Sequence, residues 1–162
     1  MGGLPHWAKD TEMARHTYNA RSETVATKLS YRDAWRLGRR CIIPVQAFYE
    51  PDWRSGKSVP TRISRADGLP MGVAGIWKGW KSSSGDILRS FSMLTIHAGE
   101  HPLMRCFHRP DDEKRMVVIL EPHQFDDWLY VPVEQIWAFL QTFPAEKLVA
   151  QPAVGDRLAT LL

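Results

Sequence analysis

The sequence predicts an α+β domain with strands in its middle and helices flanking them. Three observations predict it. Strand-like segments fill the stretch from Cys41 to Leu120, while helical spacing is confined to segments on either side. The segment from Leu88 to His97 alternates, setting Phe91, Met93, Thr95 and His97 on one face. No Gly-rich strand-to-helix phosphate loop occurs anywhere, which sets the nucleotide-binding folds aside.

The elements follow in order. Ser30-Tyr31-Arg32-Asp33 reads as a capping box with Asp in place of Glu; Tyr31, Ala34 and Trp35 then share a helical face, and Gly38 closes the helix. Cys41 to Tyr49 is β-rich, and Pro44, which has no N–H to donate, points to an edge strand or a bulge. Val59–Ser64 and Met71–Trp77 read as further strands, the second carrying Gly72 and Gly75. Lys81 to Gly85 reads as a loop tip before the alternating strand. Arg115 to Leu120 is a short continuous apolar run, as a strand buried on both faces requires. Pro122 opens a helix with Phe125, Trp128 and Leu129 on one stripe. A second helix carries Val133, Ile136, Trp137 and Leu140 at helical spacing, and Leu148–Ala153 returns as a last strand.

Composition bounds the function. The chain has 162 residues, 44% hydrophobic and 24% charged, which fits one domain over residues 1–162 with a real core. It excludes a disordered tail, a coiled coil and a disulfide mini-protein. No apolar run approaches the ~20 residues of a membrane span. The opening residues lack the apolar stretch of a signal peptide. Cys41 and Cys106 read as thiols in a reducing cytoplasm. A net charge of +3 is compatible with nucleic acid without demonstrating it. Arg36, Arg39 and Arg40 cluster, as do Arg105, Arg109, Lys114 and Arg115, while acids gather from Glu121 to Asp127. Seven tryptophans beside arginine suit stacking on unpaired bases, although most indoles belong to a core.

Three segments hold candidate chemistry. In Tyr18-Asn-Ala-Arg-Ser-Glu-Thr24, Arg21 has the fork to pair with phosphate and Asn19 the amide to fix a substrate oxygen; the run reads equally as a turn with a surface Arg–Glu pair. In Phe48-Tyr-Glu-Pro-Asp-Trp53, Glu50 sits among aromatics, where lost hydration raises a carboxyl's pKa toward neutrality and suits a general acid or base; the plain alternative is an exposed strand end. The third runs from His97 through His101 to Cys106, His108 and Arg109. Its histidines lack zinc-site spacing, and no metal or other cofactor is expected. On a strand, Cys106 and His108 would share a face as a nucleophilic pair, against the ordinary reading of Cys106 as a small buried hydrophobe. Arg105 and Arg109 would disfavour the cationic form of His108 and leave it a neutral base near pH 7.

These segments, in this order, resemble the SRAP family, the SOS response-associated peptidase or abasic-site processing domain. The matching stretches are Leu4–Lys9, Asn19–Thr24, Arg40–Glu50, Met93–Thr95, His101–Arg105, His108–Arg109 and Met116–Leu120. The resemblance implies a mixed, barrel-like sheet core and a DNA-damage role on single-stranded DNA carrying abasic sites. Family members attach to the ring-opened sugar through an N-terminal Cys, whose α-amine and thiol close a thiazolidine. Lyase and autopeptidase-type activity is also implied. By motif position the resemblance assigns catalysis to Asn19, Glu50 and His108, and DNA contacts to Trp7, Arg21, Thr95 and Arg109. Asn19 would hold the sugar or nucleophile, Glu50 would move protons at the imine, and His108 would assist ring opening and reversal.

Two departures shape the expectation. The family opens Met-Cys-Gly-Arg ahead of Leu-Pro-His-Trp, whereas this sequence opens Met1-Gly2-Gly3; the expected domain therefore lacks its first strand or strands and the cross-linking Cys. The link from His108 to Arg115 is longer than the family's, which leaves Arg109 and Arg115 open as the phosphate contact. The functions expected are abasic-site shielding, a non-catalytic single-stranded DNA binder, or a Cys–His hydrolase.

Overall fold

The computed structural model describes Gly3, residues 16–82 and residues 84–153. The strands in chain order are β1 (Asn19–Arg21), β2 (Arg40–Val45), β3 (Phe48–Asp52), β4 (Val59–Arg65), β5 (Met71–Lys81), β6 (Ile87–His97), β7 (Arg115–Val117), β8 (Ile119–Leu120) and β9 (Leu148–Pro152). The α-helices are short: α1 (Ser22–Val25), α2 (Arg32–Arg36) and α3 (Phe125–Tyr130). The fold is α+β, as the sequence predicts.

Two sheets carry it. The larger has the order β1-β6-β5-β2, with β7 added on β6 and β8 on β5; the smaller is β3-β4-β9. The β1–β6 pairing is parallel and the rest antiparallel. Pro44 lies on β2, at the end of the larger sheet's order, where its missing donor is tolerated. The long strands β5 and β6 pair from Lys81–Ile87 to Gly75–Met93 and then part. Residues 115–120 enter the wedge, which is why the apolar run expected as one strand divides into two. Between them, the Val118 N–H donates to Leu94 O, and Val118 O accepts from the Ala74 N–H. All five residues from Met116 to Leu120 are buried.

The alternation of β6 is as expected, but the fully buried side carries Ser90, Ser92, Leu94 and Ile96. Its serines are tolerated there because partners exist; Ser92 Oγ donates to Thr17 O at 2.6 Å. On the other side, Phe91 lines a separate hollow with Trp77 and Leu129, and Thr95 alone faces the candidate site. Opposite it, α3 packs so closely that a Cβ at Gly72 would lie 2.6 Å from the Phe125 ring.

The capping box expected at Ser30 does not form: Tyr31 is the N-cap of α2 and no side chain caps it. The Tyr31 side chain is drawn inward instead, and its hydroxyl donates to Asn19 O at 3.0 Å. Tyr31, Ala34 and Trp35 are buried on one face as expected. The stretch Val133–Phe139 is a 3-10 helix rather than α. With three residues per turn the expected four-residue stripe cannot stay aligned, so Ile136 is buried while Trp137 is 48% exposed. Trp35, Trp80 and Trp128 are core residues.

Candidate active site

Strand register builds one wall of the site. Asn19 stands opposite Met93, Arg21 opposite Thr95, and Thr95 opposite Val117, so Asn19, Arg21, Thr95 and Val117 project from one face of the larger sheet. The other wall comes from β3 of the smaller sheet. There Glu50 is held by the β3–β4 pairing, and an isolated bridge joins Asp52 to Phe107. The His108 N–H donates to Pro51 O at 2.8 Å. His108 has φ 63°, the left-handed region that a side chain with Cβ rarely occupies. The backbone bond to Pro51 and the burial of Phe107 beside it hold it there. The result brings His108 Nε2 to 3.0 Å from Glu50 Oε2, with side-chain exposures of 27% and 20%.

These groups line a cavity of about 390 Å3 that contains Asn19, Arg21, Tyr49, Glu50, Thr95 and His108. Burial pushes the Glu50 carboxyl up to about 7. Burial also lowers His108, with Lys114 adding to the effect and Asp112 opposing it. The direction is the one the sequence suggests, but the neighbouring cation is Lys114 rather than Arg105 or Arg109. The 3.0 Å contact thus joins a carboxyl biased toward its acid form to an imidazole biased toward its neutral form.

The mouth of the cavity is charged. Arg21, 58% exposed, reaches Glu113 Oε2 at 2.8 Å. Arg115, only 14% exposed, reaches Glu113 Oε1 at 2.5 Å and Glu23 Oε2 at 2.8 Å. Its Nη2 also donates to Thr95 O at 2.8 Å, and its Nε to Thr95 Oγ1 at 3.3 Å.

The structure therefore brings together five of the seven residues that the resemblance singles out: Asn19, Glu50, His108, Arg21 and Thr95. Arg109 does not line the cavity. Its guanidinium lies 4.8 Å from the centre of the Trp53 ring, because the long link after His108 turns it away. Arg115 stands beside Arg21 at the mouth instead, both reaching Glu113. Trp7 lies outside the described residues. Arg115 belongs to a visible basic cluster, but nothing local signals Glu113; both enter because the link folds back over the β1 edge.

The strand that the Cys–His pairing assumes does not form, although Cys106 and His108 both border a second hollow beside Trp53 and Lys114. Residues Met104–Cys106 form a 3-10 turn, not a strand, and the Cys106 thiol faces Pro102 O while His108 Nε2 meets Glu50. Neither cysteine lines the cavity; Cys41, on β2, has its thiol pushed up to about 11 by burial. His101 is a structural group, its Nδ1 accepting the Leu103 and Met104 N–H groups and its Nε2 2.7 Å from Phe143 O. Among the described residues, no three His, Cys, Asp or Glu side chains gather as a metal site would need. No helix among them is long and apolar enough to cross a membrane.

Comparison with known proteins gives a consistent picture. A sequence model of the SOS response associated peptidase (SRAP) family matches residues 1–157. The chain is 31% identical over 153 residues to the abasic site processing protein YoqW of Bacillus subtilis, covering 92% of this chain and 65% of that protein. It is 25% identical over 158 residues to the abasic site processing protein HMCES of Mus musculus, covering 79% of this chain and 43% of that one. Among solved structures, a protein from Bordetella bronchiseptica is similar with a TM-score of 0.86 and 44% identity, over 93% of this chain and 74% of that one. Another from Bacteroides thetaiotaomicron has a TM-score of 0.81 and 26% identity, over 96% and 68%.

Proposed function

The chain belongs to the SRAP family, and from that premise we propose that it binds single-stranded DNA at an abasic site and shields it in the Glu50–His108 cavity. The observation that carries this reading is the meeting of a raised carboxyl and a lowered imidazole 3.0 Å apart, beside Asn19 and Arg21. An abasic sugar exists mainly as a closed hemiacetal, and its reactive aldehyde forms on ring opening. That step removes the proton of the C1 hydroxyl, breaks the bond from C1 to the ring oxygen, and delivers a proton to that oxygen. His108, kept neutral, is suited to take the first proton, and Glu50, kept as an acid, to supply the second. The 3.0 Å contact then returns the proton from imidazole to carboxylate and resets the pair. Asn19 would orient the sugar oxygens. Arg21, Arg115 and Thr95 would meet the flanking backbone, with no direct reading of sequence.

No cysteine lines the cavity, which favours shielding without a thiazolidine made by Cys41 or Cys106. The test mixes the protein with a strand carrying one abasic site and with the intact strand, on native and heat-denaturing gels. A native shift selective for the abasic strand and lost on heating is expected. A heat-stable adduct would reveal a covalent step. Equal shifts with both strands, or none, would contradict the reading.

A further inference from the structure

Arg115 has five N–H donors, and all five are taken. Nε and one Nη2 hydrogen go to Thr95, a second Nη2 hydrogen goes to Glu23, and Nη1 serves Glu23 and Glu113. Arg21 meets the same Glu113 carboxylate from the other side. Within this network two guanidiniums and two carboxylates cancel, and an approaching phosphate meets no free donor on Arg115.

We propose that the Glu113 carboxylate occupies the position of a phosphodiester between Arg21 and Arg115, so that a strand enters only by displacing it, and that Glu113 thereby sets the affinity of the site. This rests on the reading of the cavity as a DNA site for the phosphate's owner, but not for the site's preference for an oxyanion. A carboxylate whose two oxygens are held by two guanidiniums presents the geometry that two phosphate oxygens would take. Displacement needs only side-chain rotation. The backbone of the next residue is fixed, with Lys114 O accepting from the Ala98 N–H at 2.8 Å, while Glu113 itself is exposed. Arg115 stays in place when Glu113 leaves, because Thr95 and Glu23 still hold it; the freed Nη1 donor and Arg21 then point at one place.

The test compares wild type, Glu113→Gln and Asp111→Asn, the last removing an exposed charge from the same link outside the network. Binding of inorganic pyrophosphate and of a short oligothymidylate is measured by calorimetry over a salt series, with folding checked by thermal melting. Glu113→Gln is expected to bind both anions about 3- to 10-fold more tightly at low salt. Its DNA salt slope should steepen by about one. Asp111→Asn should move affinity by less than about twofold. Equal gains in the two variants would overturn the proposal, because the effect would then be general charge. No gain in Glu113→Gln for either anion, including no binding at all, would also overturn it. If Glu113→Gln gains for pyrophosphate while neither protein takes the strand, the displacement stands and the DNA reading of the cavity falls. If wild type and Glu113→Gln bind the strand alike and show no pyrophosphate difference, the displacement falls and the DNA reading stands.

Discussion

The inner end of the cavity and its mouth each hold a glutamate, and the two are driven in opposite directions. Glu50 is half-buried against the His108 imidazole, and desolvation lifts its carboxyl to about 7. Glu113 is exposed, and its hydrogen bond to Arg115, with Arg21 adding to it, holds its carboxyl below the ordinary value. One side chain is kept near the point where it gives and takes protons; the other is kept ionised and exchangeable for another anion. Divergent environments of two like groups assign their roles more firmly than residue type does. The inner end is suited to proton transfer and the mouth to phosphate exchange.

The comparison can be broken most sharply at the inner end. Glu50→Gln removes the exchangeable proton while keeping shape, and should slow any abasic-sugar ring opening by about 10^2-fold or more, followed by trapping of the aldehyde with a hydroxylamine probe. An unchanged rate would move the chemistry elsewhere.

The second largest effect is on stability, with a sign fixed by the raised pKa. Ionising Glu50 is harder in the folded protein than in the unfolded one. Its stabilising contribution is therefore complete below pH 4.5 and lost as pH rises through about 7. Glu50→Gln does not ionise, so it should be more stable than wild type by about 2–3 kcal/mol at pH 9, with the gap closing at pH 4.5. Urea denaturation at the two pH values measures this. A gap that stays the same at both would mean that Glu50 ionises freely.

At the mouth the expected effects are smaller. Arg21→Ala should weaken single-stranded DNA binding uniformly across sequences and reduce the salt slope by about one. Arg109→Ala should change affinity by less than about twofold, because its guanidinium rests on Trp53 outside the cavity. Fluorescence anisotropy over a salt series resolves both. A larger loss with Arg109→Ala than with Arg21→Ala would reverse the assignment made from position.

The sequence made most strands legible through an alternation or an apolar run, but β1 carries neither, and the β-rich run from Cys41 to Tyr49 divides between the two sheets. It also marked Glu50 as a carboxyl that would lose hydration, and burial does raise it, although the group it meets is His108. What it concealed depends on chain path. Residues 115–120 read as one strand because nothing in Val117-Val118-Ile119 records that β5 and β6 part around it. The sealed side of β6 carries serines, whose burial depends on distant partners such as Thr17 O that no local pattern shows. The left-handed turn at His108 carries no glycine to announce it. That turn aims His108 Nε2 at Glu50 and sends the following link back so that Glu113 and Arg115 reach the cavity.

The most direct measurement of the central claim is a competition, read by anisotropy, between a single strand with one abasic site and the intact strand, for wild type and Glu50→Gln at pH 7. The account predicts at least about tenfold preference for the abasic strand in wild type, reduced in Glu50→Gln while affinity for the intact strand is kept. Equal affinity of wild type for the two strands, or a preference that survives Glu50→Gln undiminished, would contradict it.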